Sequence, residues 1–272
     1  MSYTRIGVNI NIPPWFKDHS FGGRTVLPAV ETMLLLVASV AELFPGTDVR
    51  VMEDIRFTKF LEIADGATEL SALIECGLSR DGRIQCKLLR RIQMKAMSRI
   101  REHGEISFPP TESDGSSIPD IDPAPPVDPE TGITAERIYR DLVPFGPAYQ
   151  TLQGTLFLFR DGAWGRLKSP DFPLAKVGGK TIGSPFPLDG ALHAASVLGQ
   201  QSVDFIPFPV GFDRRVIVRP TQPDCSYITR VVSTGVTRQE LIFDLTIFVG
   251  DGLVYEIVSG VRMRDVSGMA GK

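Results

Sequence analysis

Histidine, cysteine and tryptophan are all scarce in this chain. It has 3 His, 3 Cys and 2 Trp among 272 residues. The cysteines, Cys76, Cys86 and Cys225, make no Cys-x-x-Cys pair and have no histidine at ligand spacing. Such a set argues against a disulfide framework or a zinc site and reads as plain buried apolar cysteines. An excess of positive charge is missing too. Lys plus Arg is 29 against 32 for Asp plus Glu, a net charge of −3. That excludes the footprint of a nucleic-acid binder. No run is apolar enough to span a membrane, because the longest, Val26 to Phe44, is broken by Glu31, Thr32, Ser39 and Glu42. The start, Met1-Ser2-Tyr3-Thr4-Arg5, lacks the apolar stretch of a signal peptide. Asparagine occurs only at Asn9 and Asn11, and neither opens an Asn-x-Ser/Thr acceptor. These absences together point to a cytoplasmic protein.

What is present is glycine and proline, 26 and 21 of them, which favours many turns between short strands. At about 150 residues per domain the length falls between one domain and two. The break is visible: Phe108 to Gly132 reads FPPTESDGSSIPDIDPAPPVDPETG and holds seven prolines. It reads as a connection between an N-terminal unit over 1–107 and a C-terminal unit over 134–272, with 108–133 between them.

The two units have the same pattern. Alternation of apolar and polar residues runs through Val49, Val51, Ile55 and Phe57, then Leu70 to Cys76, then Ile84 to Leu88. It returns at Leu241 to Val249 and at Leu253 to Ile257. Period two marks antiparallel strands with one wet face. Asp81-Gly82 and Asp251-Gly252 sit where hairpin turns want them. Each unit also has one helix candidate, Pro28 to Leu43 and Leu188 to Gln200. Both are apolar nearly all round and must be buried. A sheet wrapped around a buried helix, present twice, is the expected architecture.

Several motifs fail. Gly178-Gly179-Lys180-Thr181 has the ending of a phosphate loop, but Leu174 stands where the loop needs glycine. The basic set Lys87, Arg90, Arg91, Lys95, Arg99 and Arg101 reads first as a solvated strand face. Its sharper reading is a landing surface for an acidic carrier protein. His19 is more pointed. It stands in the spacing His19-xxx-Gly23-xxxx-Pro28, just before the first buried helix. Glycines permit close backbone approach, and Pro28 suits a helix start. The helix N-terminus offers free N–H donors and partial positive charge. An imidazole there could take a proton from carbon next to a carbonyl.

This segment resembles the HxxxGxxxxP signature of polyketide synthase dehydratases. Further on, Pro187-Leu188-Asp189-Gly190-Ala191-Leu192-His193 resembles that family's DxxxQ/H motif. Phe145-Gly146-Pro147-Ala148-Tyr149 resembles its YGPxF motif, and Phe205 to Phe212 its LPF stretch. The order fits over roughly residues 2 to 265. The resemblance implies an α+β double hotdog, and an enzyme that dehydrates 3-hydroxyacyl thioesters to trans-2-enoyl thioesters without a cofactor. It implies His19 as catalytic base and Asp189 as catalytic acid. It also implies a substrate-binding set of Gly23, Pro28, Phe145, Gly146, Pro147, Tyr149 and His193. Among these the Gly23 N–H would polarise the thioester carbonyl, and His193 would orient Asp189 or the hydroxyl. The substrate would ride on the phosphopantetheine of an acyl carrier protein, supplied in trans, or on coenzyme A. No nucleic acid, membrane or metal enters, and a homodimer is the assembly that exposed edge strands allow. Phe145 stands where the family has Tyr, Tyr149 where it has Phe, and Ala29 where a Gly commonly follows the Pro. These departures keep two alternatives open: a cyclase or isomerase on the same fold, and a non-catalytic acyl-binding module. His103 is expected to have no role beyond the surface.

Overall fold

The computed structural model describes residues 2–93, 97–110, 121–174, 176–177 and 180–266. The N-terminal unit starts with β1 (Ser2–Asn11), a 3-10 turn over Pro14–Asp18, and the small strands β2 (Ser20–Phe21) and β3 (Arg24–Val26). Helix α1 (Ala29–Leu43) follows, then β4 (Val51–Phe57), β5 (Glu62–Ile63), β6 (Glu69–Leu78), β7 (Ile84–Gln93) and β8 (Ser98–Phe108). The C-terminal unit opens three residues earlier than expected, with β9 (Thr131–Thr134), which pairs with a strand of that unit, then the short α2 (Ala135–Arg137) and a π turn over Ile138–Leu142. Then come β10 (Leu152–Phe159), β11 (Gly162–Lys168), the two-residue strands β12 (Lys176–Val177) and β13 (Lys180–Thr181), and α3 (Phe186–Gly199). It ends with β14 (Phe208–Ile217), β15 (Ser226–Val236), β16 (Leu241–Phe248) and β17 (Val254–Arg264).

Both long helices and all five alternating strands expected from the sequence are present, but α1 is covered less than expected, with Leu34, Leu35 and Ala38 half-buried and Glu42 exposed. Residues 186–199 of α3 are buried throughout. Two glycines make that fit possible: a Cβ on Gly190 would lie 2.2 Å from Thr151 Oγ1, and one on Gly199 2.6 Å from Leu241 Cδ1. The strands form one antiparallel sheet of twelve, in the order β1-β6-β7-β8-β4-β14-β17-β16-β15-β11-β10-β9. The two units therefore meet edge to edge at β4 and β14, with Ile55 opposite Phe212 and Arg56 opposite Gly211. A Cβ on Gly211 would sit 2.5 Å from the Ile55 carbonyl oxygen, so the seam needs glycine there.

Topology repeats across the seam. In each unit the strand after the long helix lies at the seam, and a three-strand meander follows it, β6-β7-β8 or β15-β16-β17. The last meander strand then pairs with the seam strand, β8 with β4 and β17 with β14.

One expectation from composition is corrected. Cys76 and Cys86 are buried, as expected, but they face each other across β6 and β7 and are joined in a disulfide. Cys225 is exposed. An odd cysteine count excludes complete pairing, not one pair, and the β6–β7 register is what brings these two together. The basic set lies on β7 and β8; Lys87 is ion-paired with Glu102 and Glu105, while Arg91 and Arg99 are exposed. Lys95, residues 111–120 of the connection, and Gly178 and Gly179 lie outside the described residues. Beyond them, Ile121 of the connection packs against Trp164, Phe248 and Val254. Among the described residues no helix is long and apolar enough to cross a membrane.

Candidate active site

His19 follows the 3-10 turn, and its position is set by two bonds to one residue. Val26 N–H donates to the His19 carbonyl at 3.1 Å, and the His19 ring Nδ1 lies 3.1 Å from the Val26 carbonyl. A carbonyl only accepts, so Nδ1 carries the hydrogen and Nε2 is left bare. The β2–β3 hairpin between them turns on Gly22 and Gly23, with φ of 57° and 75°. Two successive positive φ values are what a tight hairpin requires, and glycine supplies them without steric cost.

Asp189 comes from the other unit. It lies in the first turn of α3, where its N–H bonds to the Pro185 carbonyl at 3.2 Å. Its carboxyl caps nothing. One turn further, His193 Nε2 lies 3.1 Å from Asp189 Oδ2. The angles are not those of a hydrogen bond, and both atoms are buried without a partner among the described residues. Tyr139 holds the other side of the His193 ring, its hydroxyl accepting from Leu152 N–H at 2.8 Å and lying 3.4 Å from His193 Nδ1. An oxygen already accepting there still has its own hydrogen to give to Nδ1, and in that arrangement the hydrogen of His193 sits on Nε2, facing Asp189.

The two sides meet around Phe145. Its ring stacks on His19 at 4.4 Å and 14°, and lies 5.0 Å from His193. Tyr149 approaches His19 edge-on at 5.0 Å and is fully buried, its hydroxyl unpartnered. Gly146 and Ala148 anchor this loop to Asp18, and Pro147 between them starts a 3-10 turn over Pro147–Tyr149. Gly146 N–H donates to the Asp18 carbonyl at 2.7 Å, and Ala148 N–H to Asp18 Oδ2 at 2.8 Å. A Cβ on Gly146 would lie 2.6 Å from Asp18 Cγ, so only glycine lets the loop close.

His19, Phe145, Asp189 and His193 line one cavity, open to solvent at its mouth. The lining residues that are exposed are Thr58 and Lys59, which places the mouth. Burial dominates the electrostatics. It pushes His19 down to about 4 and His193 down to about 3, with the neighbouring His19 adding to the latter. Asp189 is pushed well above the usual carboxylate range by burial, and secondly by Glu31. Burial therefore leaves His19 a neutral imidazole with a bare nitrogen at neutral pH, and favours the protonated form of Asp189.

Other expected residues fall elsewhere. Gly23 is exposed at the hairpin tip and does not line the cavity. Pro28 is buried as the cap of α1, and its carbonyl accepts from Thr32 N–H at 2.9 Å. At this end of the helix it is Ala29 that lines the cavity. His103, expected on the surface, is instead 6% exposed and lines the same cavity. Sequence reasoning also missed Asp18, Glu31 and Tyr139. Asp18 carried a signal, because it immediately precedes His19.

The family model described as the polyketide synthase dehydratase N-terminal domain matches residues 120–272, more than half of the chain. The chain belongs to the polyketide synthase dehydratase family. Solved structures of similar shape come from that family. The dehydratase domain of a mycocerosic acid synthase-like polyketide synthase aligns at TM-score 0.75 and 12% identity, covering 98% of this chain and 96% of its own. A trans-AT polyketide synthase dehydratase domain from Brevibacillus brevis aligns at 0.72 and 16%, covering 96% and 93%. The dehydratase domain from the CurJ module of the curacin polyketide synthase aligns at 0.71 and 15%, covering 96% and 92%. At these identities the likeness is one of fold, and the fold of this dehydratase-family chain is the double hotdog. No curated protein matches it in sequence.

Proposed function

We propose that this chain is a 3-hydroxyacyl-thioester dehydratase, a hydro-lyase that makes trans-2-enoyl thioesters in polyketide or fatty-acid-type biosynthesis. One observation carries the reading. His19 from one unit and Asp189 from the other line a single cavity, where burial favours the neutral form of each.

The chemistry follows from those protonation states. His19 Nε2 removes the α-proton, and the electron pair left behind becomes the new double bond. The bond from the β-carbon to its hydroxyl breaks as the Asp189 carboxyl delivers its proton, and water leaves. His19 ends as imidazolium and Asp189 as carboxylate, so one proton passed between them restores the site. Acid–base assistance of this kind contributes roughly 10²–10⁴-fold. His193, with its hydrogen on Nε2, orients Asp189 or the substrate hydroxyl. The free amides at the start of α1, where Ala29 lines the cavity, are the donors available to the thioester oxygen. Gly23, away from the cavity, is not.

The substrate would arrive on the phosphopantetheine arm of an acyl carrier protein, or as an acyl-CoA, and no cofactor is needed for the proton transfers. The exposed arginines of β7 and β8 suit an acidic carrier. Strand β1 is a free edge of the sheet, and pairing with a second copy there would give a homodimer.

The test is turnover of 3-hydroxybutyryl and longer 3-hydroxyacyl pantetheine thioesters, read as enoyl absorbance. The expected result is turnover by the wild type and a drop of about 10²–10⁴-fold in kcat for His19→Ala and for Asp189→Asn. Turnover that persists in both variants sinks the assigned roles. Tight binding without turnover at any chain length would make this an acyl-binding module instead.

A further inference from the structure

His103 is the third histidine on the cavity, and the reaction described above does not use it. It sits on β8 where the pairing with β7 shifts: Leu88 lies opposite Gly104 and Leu89 opposite Glu102, so His103 is the extra residue of a bulge. A bulge re-aims a side chain. Plain alternation would put His103 on the same face as Arg101 and Glu105, yet it is 6% exposed and lines the cavity.

Its hydrogen bonding is half complete. Nδ1 lies 3.1 Å from the Lys59 carbonyl, so Nδ1 carries the hydrogen. Burial lowers the pKa of the ring and keeps it neutral, and Nε2 is then a bare acceptor. Among the described residues this buried Nε2 has no partner. A buried acceptor left empty has lost its water and gained nothing in return, so such an atom is best explained by something that fills it.

His19 has the same construction, with Nδ1–H held by a backbone carbonyl and Nε2 bare. The surroundings distinguish the two. His19 is close enough to His193, the neighbour of Asp189, to shift its titration. The charges that act on His103 are Arg101, on its own strand, and Arg90, on the neighbouring β7. His103 also bonds to Lys59, one of the two residues that mark the mouth. It therefore meets substrate away from the reacting carbons.

We propose that His103 Nε2 is a substrate-recognition acceptor, taking a hydrogen bond from an amide N–H or a hydroxyl on the stretch of substrate that lies at the cavity mouth. This rests on the acyl-thioester reading. Two parts of such a substrate carry the donor: the amides of the pantetheine arm, or a distal hydroxyl on the acyl chain.

The test is calorimetric binding of saturated acyl pantetheine thioesters, which cannot dehydrate, to the full chain. His103→Asn is the variant, because its amide can still donate to the Lys59 carbonyl while nothing reaches the Nε2 position. One arm replaces the arm amide nearer sulfur by an ester. The other compares 8-hydroxyoctanoyl with octanoyl. In the wild type, loss of the right donor should weaken Kd about tenfold, and in His103→Asn the same loss should change nothing. Coupling in the first arm assigns the pantetheine amide, and coupling in the second the acyl hydroxyl; either supports the proposal. Coupling in neither overturns it, as does absence of binding by the wild type. Should His103→Asn fail to fold, the wild-type ¹⁵N resonance of His103 Nε2 should move toward its hydrogen-bonded position on adding ligand, and an unmoved resonance overturns the proposal. Turnover of the 3-hydroxy substrates is measured alongside. Turnover without coupling removes the role of His103 alone, and coupling without turnover removes the dehydratase reading alone.

Discussion

The two long helices start alike and end up doing different work. Each follows a proline cap, Pro28 for α1 and Pro185 for α3, and in each the N–H four residues on bonds back to that proline carbonyl. Counting from the caps, Thr32 of α1 is the counterpart of Asp189, and Leu36 the counterpart of His193. Thr32 and Asp189 both line the cavity, while Leu36 is fully buried in the core. Helix α1 thus has a threonine and a core leucine at these positions, and α3 has Asp189, the proposed acid, and His193. His19, the proposed base of the N-terminal unit, lies off the helix, on a turn pinned by backbone bonds. Duplicating a fold supplies two helix N-termini at one cavity, and only one of them then needs to hold a chemical group.

Making the second helix like the first tests this with the largest expected effect. Asp189→Thr should fold, since threonine already fills the matching site in α1, and should lower kcat by about 10²–10⁴-fold. The reciprocal Thr32→Asp should not restore activity in the Asp189→Thr background. It buries a second carboxyl against Gly104, where Thr32 Cγ2 already lies 2.9 Å from any added Cβ. We expect about 2 kcal/mol or more of lost stability, read by urea unfolding. Activity restored by the exchange would mean that the two helix starts are interchangeable.

The link between the units comes next in size. Gly146→Ala puts a Cβ into Asp18 and should break both bonds of the Phe145 loop to the His19 turn. Overpacking of this kind costs about 1–3 kcal/mol. It should also lower kcat by about tenfold, because a base displaced by even part of an ångström loses much of its advantage. A variant with normal kcat and normal stability would show that the units align without this clamp.

How far the sequence discloses this arrangement depends on the range of the interaction. The helices and alternating strands are local, and so were legible. Their joining into one sheet at β4 and β14 is not, because nothing in either strand specifies its partner across the seam. The Cys76–Cys86 pair was legible in principle: each lies five residues from Asp81, at the centre of a hairpin turn already visible. His103 was hidden by its bulge, because alternation misassigns the side of a residue wherever the register slips. Gly23 was misread for the opposite reason. Its φ of 75° serves a two-glycine turn, and the spacing that suggests a ligand contact reflects the hairpin that returns the chain from His19 to Val26. Asp189 was singled out by its motif, but the burial that favours its protonated form belongs to the fold and is not written locally.

Glu31 shows that even this division is incomplete. It belongs to α1, yet after burial it is what raises Asp189. Burial pushes Glu31 itself up to about 7, so its charge grows in through neutral pH. A charged Glu31 opposes the ionisation of Asp189 and keeps the acid protonated to higher pH. Activity should fall toward acid as His19 protonates near about 4, and toward alkali as Asp189 loses its proton. Glu31→Gln removes the charge and leaves the burial. The alkaline limb of the kcat/KM profile should therefore move to lower pH while staying above the ordinary carboxylate range. The acid limb should stay where it is, because Glu31 is not among the causes acting on His19. An alkaline limb that does not move would leave desolvation as the sole control of the acid. A shift of the acid limb as well would mean that Glu31 acts on the base, and that the two units share one electrostatic site rather than contributing a group each.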